Sequence, residues 1–325
     1  MLSVIITAYK EEKTIGSAIE MLVGSRSGIG MGVIDQKWEL IVVAPDEPTI
    51  TASRNMAAKL GLDETNFNLL VDQKQGKPAA LNQAFKAAKG DWLLLTDGDV
   101  VFKAGALGIL VQAAQTSDEI GGVTGRPVSV NVSQRGTGVM RMLDYWGMLL
   151  ADAAHHKRTV DLTSSSSGYS SKIVPKRKFF PLSGYIMLVR NLNINLPNDA
   201  LVDDAFLSYE IYNRGYKMAY EPAAEVEVKY PDNISDYFKQ KKRSAGGFVQ
   251  LWEYGVVRKD TKSRSFWREL EYFWFPLKYA RSLRELIWSI CLYPARLWLW
   301  IAIYWERKVI KKDFSKTWVR IESTK

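Results

Sequence analysis

The sequence predicts an α/β fold, a mixed sheet flanked by helices that ends in an aromatic, basic helical appendage. Three observations predict it. The first 130 residues alternate short β-rich apolar runs with stretches of helical spacing, the signature of βα units on a largely parallel sheet. The run Trp92-Leu-Leu-Leu-Thr96 is apolar throughout, as a strand covered on both faces must be. The charge is divided sharply. Residues 1 to 257 carry 28 basic and 28 acidic side chains, whereas residues 258 to 325 carry 16 and 7. The whole net charge of +9 therefore lies in the tail, together with seven of the eleven tryptophans. Two regions that meet different solvents are expected, with the boundary at residue 257.

Taken in order, strands are expected near 2 to 8, 38 to 43, 67 to 71 and 91 to 96. Helical spacing runs from Glu11 to Val23, from Thr51 to Leu60 and from Pro78 to Ala88, the last opening with proline at a first helical position. Beyond residue 130 the alternation stops, so a repeated doubly wound sheet does not continue. A helix over 137 to 156, a strand at 184 to 189, a helix over 203 to 213, strands within 217 to 228 and a helix from about 234 follow. Between them, the serine-rich run Thr163 to Lys172 and the basic Lys176-Arg-Lys178 read as a loop. There is no internal repeat.

Composition bounds the chemistry. One cysteine, Cys291, permits no internal disulfide and fits a reducing compartment, and with two histidines it cannot furnish a zinc cluster. The start, Met1-Leu-Ser-Val-Ile-Ile-Thr-Ala-Tyr9, lacks the basic and long apolar segments of an export signal, so export by a conventional signal is not expected.

The sharpest local signal is Thr96-Asp97-Gly98-Asp99, directly after a buried strand, where ligands gather in open α/β sheets. Two carboxylates one residue apart, Asp97 and Asp99, can share a hard cation. Mg²⁺ or Mn²⁺ prefers oxygen ligands and commonly completes its shell with substrate phosphates. As a bare tripeptide the same residues also suit an Asp-Gly turn.

Val4-Ile-Ile-Thr-Ala-Tyr-Lys-Glu-Glu12, Gly76-Lys-Pro-Ala-Ala-Leu-Asn82 and Asp97-Gly-Asp99 resemble, in order, the hallmarks of family 2 glycosyltransferases. The resemblance covers roughly residues 1 to 250 and implies the GT-A fold, a Rossmann-like mixed sheet. It further implies that Thr7, Ala8, Tyr9 and Glu11 line a nucleoside pocket, that Lys77 approaches the donor, and that Asp97 and Asp99 hold a diphosphate through the metal. A lysine and a dication would neutralise a departing nucleoside diphosphate. Where the family commonly has Asp-Asp-Gly-Ser this chain has Ala44-Pro-Asp-Glu47, which leaves Asp46 a weak match for contact with the base. Read without the family, Glu11, Asp46 and Lys77 are ordinary solvated residues.

Inverting sugar transfer needs a carboxylate to take the acceptor's hydroxyl proton. Leu201-Val-Asp-Asp-Ala-Phe-Leu-Ser208 resembles the acidic motif of the cellulose- and hyaluronan-synthase-like members, which selects Asp204 as base and puts Asp203 where a glutamate is usual. Adjacent carboxylates repel, which raises one pKa; the pair equally suits a helix cap. Phe180-Pro-Leu-Ser-Gly-Tyr-Ile-Met-Leu-Val-Arg190 resembles the acceptor-side segment, with Ser183 and Gly184 allowing close backbone approach. Phe238-Lys-Gln-Lys-Lys-Arg-Ser244 stands where processive members carry Gln-x-x-Arg-Trp. Gln240 and Arg243 match, and Ser244 replaces the tryptophan, so Arg243 is expected on the pyrophosphate without a polymer-gripping partner. The same basic run also suits a solvated helix face or an anionic lipid contact.

In the tail, Leu286 to Trp305 reaches the ~20 residues that span a bilayer. Pro294 and Arg296 stand against a span, so helices lying in the interface are favoured, with aromatics at the headgroup boundary and Lys308, Lys311 and Lys312 toward anionic phosphates. A single span, or packing on the catalytic domain or on a second subunit, remains the alternative. The expected enzyme moves a sugar from a UDP- or GDP-sugar to a glycan or lipid-linked acceptor at the cytosolic membrane face, held there by residues 260 to 325. Other classes fit less well. Gly28-Ile-Gly30-Met-Gly32 lacks dinucleotide-binding spacing, and no glycine-rich, arginine-bearing loop follows the first strand as a pyrophosphorylase requires. The basic tail is interleaved with bulky apolar residues, unlike a nucleic-acid surface. A nucleotidyltransferase of similar fold or a non-catalytic binding protein stays open.

Overall fold

A computed structural model describes residues 1–23, 37–130, 138–160, 172–173, 179–261, 263–311 and 323. The serine-rich run from 163, the basic 176–178 run, the Gly28–Gly32 run and Lys312 lie outside the described residues, save for a short strand at Lys172–Ile173. The strands are β1 (Leu2–Thr7), β2 (Trp38–Ala44), β3 (Phe67–Val71), β4 (Trp92–Asp97), β5 (Val101–Phe102), β6 (Ile120–Ser129), β7 (Lys172–Ile173), β8 (Met187–Arg190) and β9 (Lys217–Val228). They form one sheet in the order β3-β2-β1-β4-β8-β6-β9-β5, with β7 paired to β9. The first four are parallel, with Thr7 opposite Asp97 at the carboxyl end of the β1–β4 pair. From β8 onward the pairing turns antiparallel, β8 lying against both β4 and β6.

By contacts the chain divides into two compact units. One comprises Met1–Pro127, Asp161–Asp199 and Asp203–Val228; the other comprises Val128–Val160, Ala200–Val202 and Lys229–Lys325. In the first, every residue of β1 is buried, as are all but the first of β2. Helix α1 (Ile15–Val23) buries Ile15, Ala18, Ile19 and Leu22, one stripe at helical spacing. Helix α2 (Glu47–Lys59) starts earlier than the expected 51 because Asp46 caps it and Pro48 suits its first turn. Helix α3 (Lys77–Ala87) and helix α6 (Asp203–Asn213) fall where spacing placed them. Helix α4 (Ala106–Ala114) and strand β6 were not expected. The strand expected at 184 to 189 begins only at Met187, after an isolated bridge from Ser183 to Ile186.

The second unit is helical. It contains α5 (Gly138–Val160), α7 (Ile234–Glu253), α8 (Phe266–Leu270), α9 (Phe275–Tyr279) and α10 (Leu283–Tyr304). Its core joins Leu143, Tyr145, Trp146 and Leu149 of α5 to Tyr237 of α7 and Leu292 of α10. Polar contacts lock the same faces: Tyr145 Oη and Ser289 Oγ lie 2.7 Å apart, and Trp146 Nε1 donates to the Trp288 carbonyl at 2.7 Å. Lys242 pairs with Glu306 at 2.7 Å.

One buried carboxylate fastens the edge that β4 starts from. Glu39 of β2 is 3 % exposed, and its Oε1 accepts from Ser3 Oγ and from the Lys89 N–H, both at 2.6 Å. Ser3 Oγ in turn accepts the Gly90 N–H at 2.8 Å, so the turn into β4 is tied to β1 and β2. Replacing Glu39 with alanine strands these donors in the interior. The expected loss is about 1–3 kcal/mol of stability in denaturant titration, and an unchanged midpoint would remove this account of the turn.

Candidate active site

Three chain segments converge in the first unit at the carboxyl ends of β1 and β4. Lys77 opens α3, and its ammonium lies 2.7 Å from Asp97 Oδ1 and 3.5 Å from Asp203 Oδ2. All three side chains are mostly buried. Burial alone would push the Lys77 amine down, but the Asp203 and Asp97 carboxylates outweigh it and hold the amine well above its ordinary range. Thr7 adds a hydroxyl to Asp97 Oδ1 at 3.3 Å, across the β1–β4 register.

Asp203 and Asp204 form the first turn of α6. Asp204 Oδ2 accepts the Gly184 N–H at 3.0 Å and Oδ1 accepts its neighbour's Ala205 N–H at 2.8 Å. The helix opening is further pinned by Ser208 Oγ, which donates to the Asp204 carbonyl at 2.6 Å and accepts the Leu182 N–H at 3.0 Å. Ser183 N–H donates to Thr124 Oγ1 at 3.0 Å. A Cβ at position 184 would stand 2.9 Å from Asp204 Oδ2, so only glycine lets the backbone reach the carboxylate. Burial, and next the charge on Asp203, push the Asp204 carboxyl up to about 6, against the two N–H donors and Lys77, which pull it down.

The glycine of Asp97-Gly98-Asp99 is equally constrained. A Cβ there would lie 2.4 Å from Glu11 Oε2 and 3.0 Å from Ala8 Cβ, so the turn of the acidic pair sits directly on the end of the β1 segment. Glu11 is 5 % exposed, which corrects its reading as a solvated surface residue. Ala8 is buried and Tyr9 half-buried beside it. Lys10 takes a left-handed φ of 54° and donates its N–H to Asp46 Oδ1 at 2.9 Å. Asp46 Oδ2 accepts both N–H and Oγ1 of Thr49, the latter at 2.6 Å, and Thr49 Oγ1 accepts the Glu11 N–H at 3.0 Å. Both oxygens of Asp46 thus hold backbone in place, a capping task that its weak motif match did not suggest. Asn82, quoted with the Lys77 motif but given no role, clamps Leu196 through both backbone groups at 2.8 Å and steadies the approach to α6. A local asparagine in a helix carries no sign of a partner 114 residues away.

Asp97 and Asp99 are half-buried at the strand end. Among the described residues no group of three or more His, Cys, Asp or Glu side chains gathers as a complete ligand set. Two oxygen-bearing side chains beside a lysine therefore fit a cation whose shell is completed by substrate phosphates, and do not fit an all-protein cage. Gln240 and Arg243 lie on α7, in the second unit, with partly buried side chains.

The sequence profile described as "Glycosyltransferase like family 2" matches residues 1–247. Among curated proteins, the poly-beta-1,6-N-acetyl-D-glucosamine synthase of Staphylococcus aureus is 24% identical over 246 residues, which are 75% of this chain and 53% of that protein. The synthase of Staphylococcus epidermidis is 22% identical over 247 residues, 76% and 54% of the two chains. The chain thus spans about half the length of the curated relatives it matches. Among solved structures, the mannosyltransferase PcManGT from Pyrobaculum calidifontis, in complex with GDP-Man and Mn²⁺, superposes with a TM-score of 0.60 at 18% identity, over 96% of this chain and 88% of that one. It shares the GT-A fold, the same mixed sheet between helices. Profile and fold agree with the ordered motifs: this chain belongs to the family 2 glycosyltransferases.

Proposed function

We propose that the chain is an inverting glycosyltransferase that moves a sugar from a nucleoside-diphosphate sugar to a hydroxyl of a glycan or lipid-linked acceptor at the cytosolic membrane face, with Mg²⁺ or Mn²⁺ bound at Asp97 and Asp99. The observation that carries this reading is the single ammonium of Lys77 set between the Asp97 side and the Asp203–Asp204 side. When bound, the cation would stabilise negative charge on the diphosphate. The protein's own groups do the rest. Lys77 lies within reach of Asp97 and can neutralise the departing diphosphate as the glycosidic bond breaks. Asp204 takes the acceptor proton as the hydroxyl oxygen bonds to the anomeric carbon, and the bonding electron pair leaves with the diphosphate. A carboxyl at about 6 is ionised at neutral pH yet basic enough to accept that proton.

Thr7, Ala8, Tyr9 and Glu11 are assigned to the nucleoside side, with Asp46 acting through Lys10 and Thr49. Ser183, Gly184 and Asp203 are assigned to the acceptor side, and Gln240 and Arg243 to the diphosphate. The GDP-Man and Mn²⁺ of the mannosyltransferase support a nucleotide sugar with a dication, and the names of the staphylococcal relatives support a glycan product. The membrane assignment rests on the tail. Leu283–Val309 is long and apolar enough to cross a bilayer, with a mean hydropathy of 1.6, and Leu283, Ile287, Ile290, Leu297, Ile301 and Tyr304 are all more than half or about half exposed along it. An interfacial seat, a single span and a contact between copies of the chain all suit such a face; the interfacial seat is adopted here, with sidedness taken from the nucleotide-sugar pool.

Metal dependence is checked by titrating a panel of UDP- and GDP-sugars by calorimetry with and without Mn²⁺. Donor binding is expected to need the cation, and Asp99→Ala to weaken it about tenfold or more, equivalent to ~1.4 kcal/mol. Metal-independent binding by both proteins would end the assignment.

The base is tested by pH. Because Asp204 must be unprotonated to act, kcat/KM should rise with pH through about 6 and then level. Asp204→Asn is expected to lower kcat about 10²–10⁴-fold while donor affinity stays within a small factor. Asp203→Asn, by removing the neighbouring charge, should move the acid limb to lower pH. An acid limb that persists in Asp204→Asn would assign the base elsewhere.

A further inference from the structure

One carboxylate of the site answers to two cations. Asp97 is assigned to the metal, yet its Oδ1 already meets the Lys77 ammonium at 2.7 Å and the Thr7 hydroxyl at 3.3 Å. The pair is shielded, with the Lys77 and Asp97 side chains 25 % and 24 % exposed. An ammonium at this distance and a dication on the same carboxylate repel each other, the more strongly where little water screens them. Among the described residues no third carboxylate, histidine or cysteine joins the pair to offset that repulsion by completing a ligand set.

The ammonium has a second place to rest. Its other ion pair, to Asp203 Oδ2 at 3.5 Å, lies on a different element, the first turn of α6. A lysine is a point charge on a flexible four-carbon stem, so Lys77 can give up Asp97 and keep Asp203 by turning its side chain alone. It also opens α3, whose cap Gly76 makes no side-chain hydrogen bond. An anion drawn to the ammonium therefore meets the positive end of that helix as well. A diphosphate is such an anion, and it brings Lys77 a charged partner and a cation further oxygen ligands together.

We propose that Lys77 gates the metal position: it is the counter-ion of Asp97 until a nucleoside diphosphate draws the ammonium away, so that cation and nucleotide bind together and neither binds well alone. This rests on the assignment of the cation to Asp97 and Asp99 and adds the group that makes the two ligands depend on each other. Asp203 keeps the released ammonium within the site. Such coupling is reciprocal, so whatever factor the nucleotide adds to cation affinity, the cation adds to nucleotide affinity.

The full chain is titrated with Mn²⁺ alone and with Mn²⁺ plus UDP or GDP. Bound ion is read from the loss of the free Mn²⁺ electron paramagnetic resonance signal, corrected for the ion that free nucleotide holds. Wild type is expected to bind Mn²⁺ at least about tenfold more tightly with nucleotide. Lys77→Gln should raise the affinity for Mn²⁺ alone at least about tenfold and shrink the enhancement by nucleotide, a gain that loss of a merely structural lysine would not give. Adding Asp97→Asn should abolish the gain, and Lys77→Arg, which keeps the charge, should retain the wild-type enhancement. Without the ammonium between its carboxylates Lys77→Gln should melt at a lower temperature than wild type, and Mn²⁺ alone should restore it. A Lys77→Gln protein that Mn²⁺ neither binds more tightly than wild type nor stabilises overturns the gate, even where nucleotide-dependent Mn²⁺ binding by wild type upholds the metal assignment. Equally tight binding of Mn²⁺ to wild type with and without nucleotide also overturns the gate. Absence of Mn²⁺ binding in every arm overturns the metal assignment with it.

Discussion

The candidate site depends on one buried cation. Lys77 stands where the end of β4 and the start of α6 bring Asp97 and Asp203 within 3.5 Å of its ammonium, with Asp204 adjoining. Removing the amine would leave those carboxylates facing each other with little solvent to screen them, so the lysine is what permits the acidic segments to meet. The balance is still negative, since Asp97, Asp203 and Asp204 face one ammonium. A residual negative field at a strand end is the condition under which a dication is attracted and its affinity remains modest until phosphates complete its shell.

Close backbone approach fixes the geometry around that cation. At Gly98 the chain turns against the Glu11 carboxylate, and at Gly184 it presents an N–H to Asp204; a methyl at either place would meet an oxygen below van der Waals distance. Hydroxyls then tie the segments. Thr49 links Asp46 to Glu11, Ser208 links α6 to Leu182, and Thr124 bridges Ser183 and the Ile186 carbonyl. None of these groups needs to touch a substrate. They tie the segments that carry Lys77, Asp97 and Asp204 to one another, the kind of support by which a site's side chains are held in place.

How much of this was legible in the sequence follows from the range of each interaction. The parallel half of the sheet and helices α1, α3 and α6 were readable because apolar runs and helical spacing are local signals. Short, ordered motifs marked Lys77 and Asp97 in the sequence, and the structure brings their side chains together. Strand β6, helix α4 and the antiparallel turn at β8 were not, since pairing between residues some 60 positions apart leaves no periodic trace. Asp46 shows the same limit from the other side. A motif offered it a ligand, whereas the fold engages both of its oxygens with the chain itself. Glu39 and Asn82 also read as ordinary polar residues, and only their distant partners give them weight.

The tail shows how tertiary contacts change the meaning of a residue. Arg296 in mid-helix argues against a membrane seat when it is counted as an unpaired charge in an apolar run. In the folded unit its side chain is 13% exposed and meets Glu269 through two nitrogens, so α10 presents the charge inward and the apolar stripe outward. The helix is two-faced by construction: Ser289, Leu292, Leu299 and Ile303 pack inside while Ile287, Ile290, Leu297 and Ile301 face out. A helix with one face engaged by its own unit and the other apolar has the asymmetry of an interfacial element, whereas a lone span would be apolar all round. The arginine that counted against an apolar face is thus one of the groups whose pairing inside the unit leaves that face turned outward.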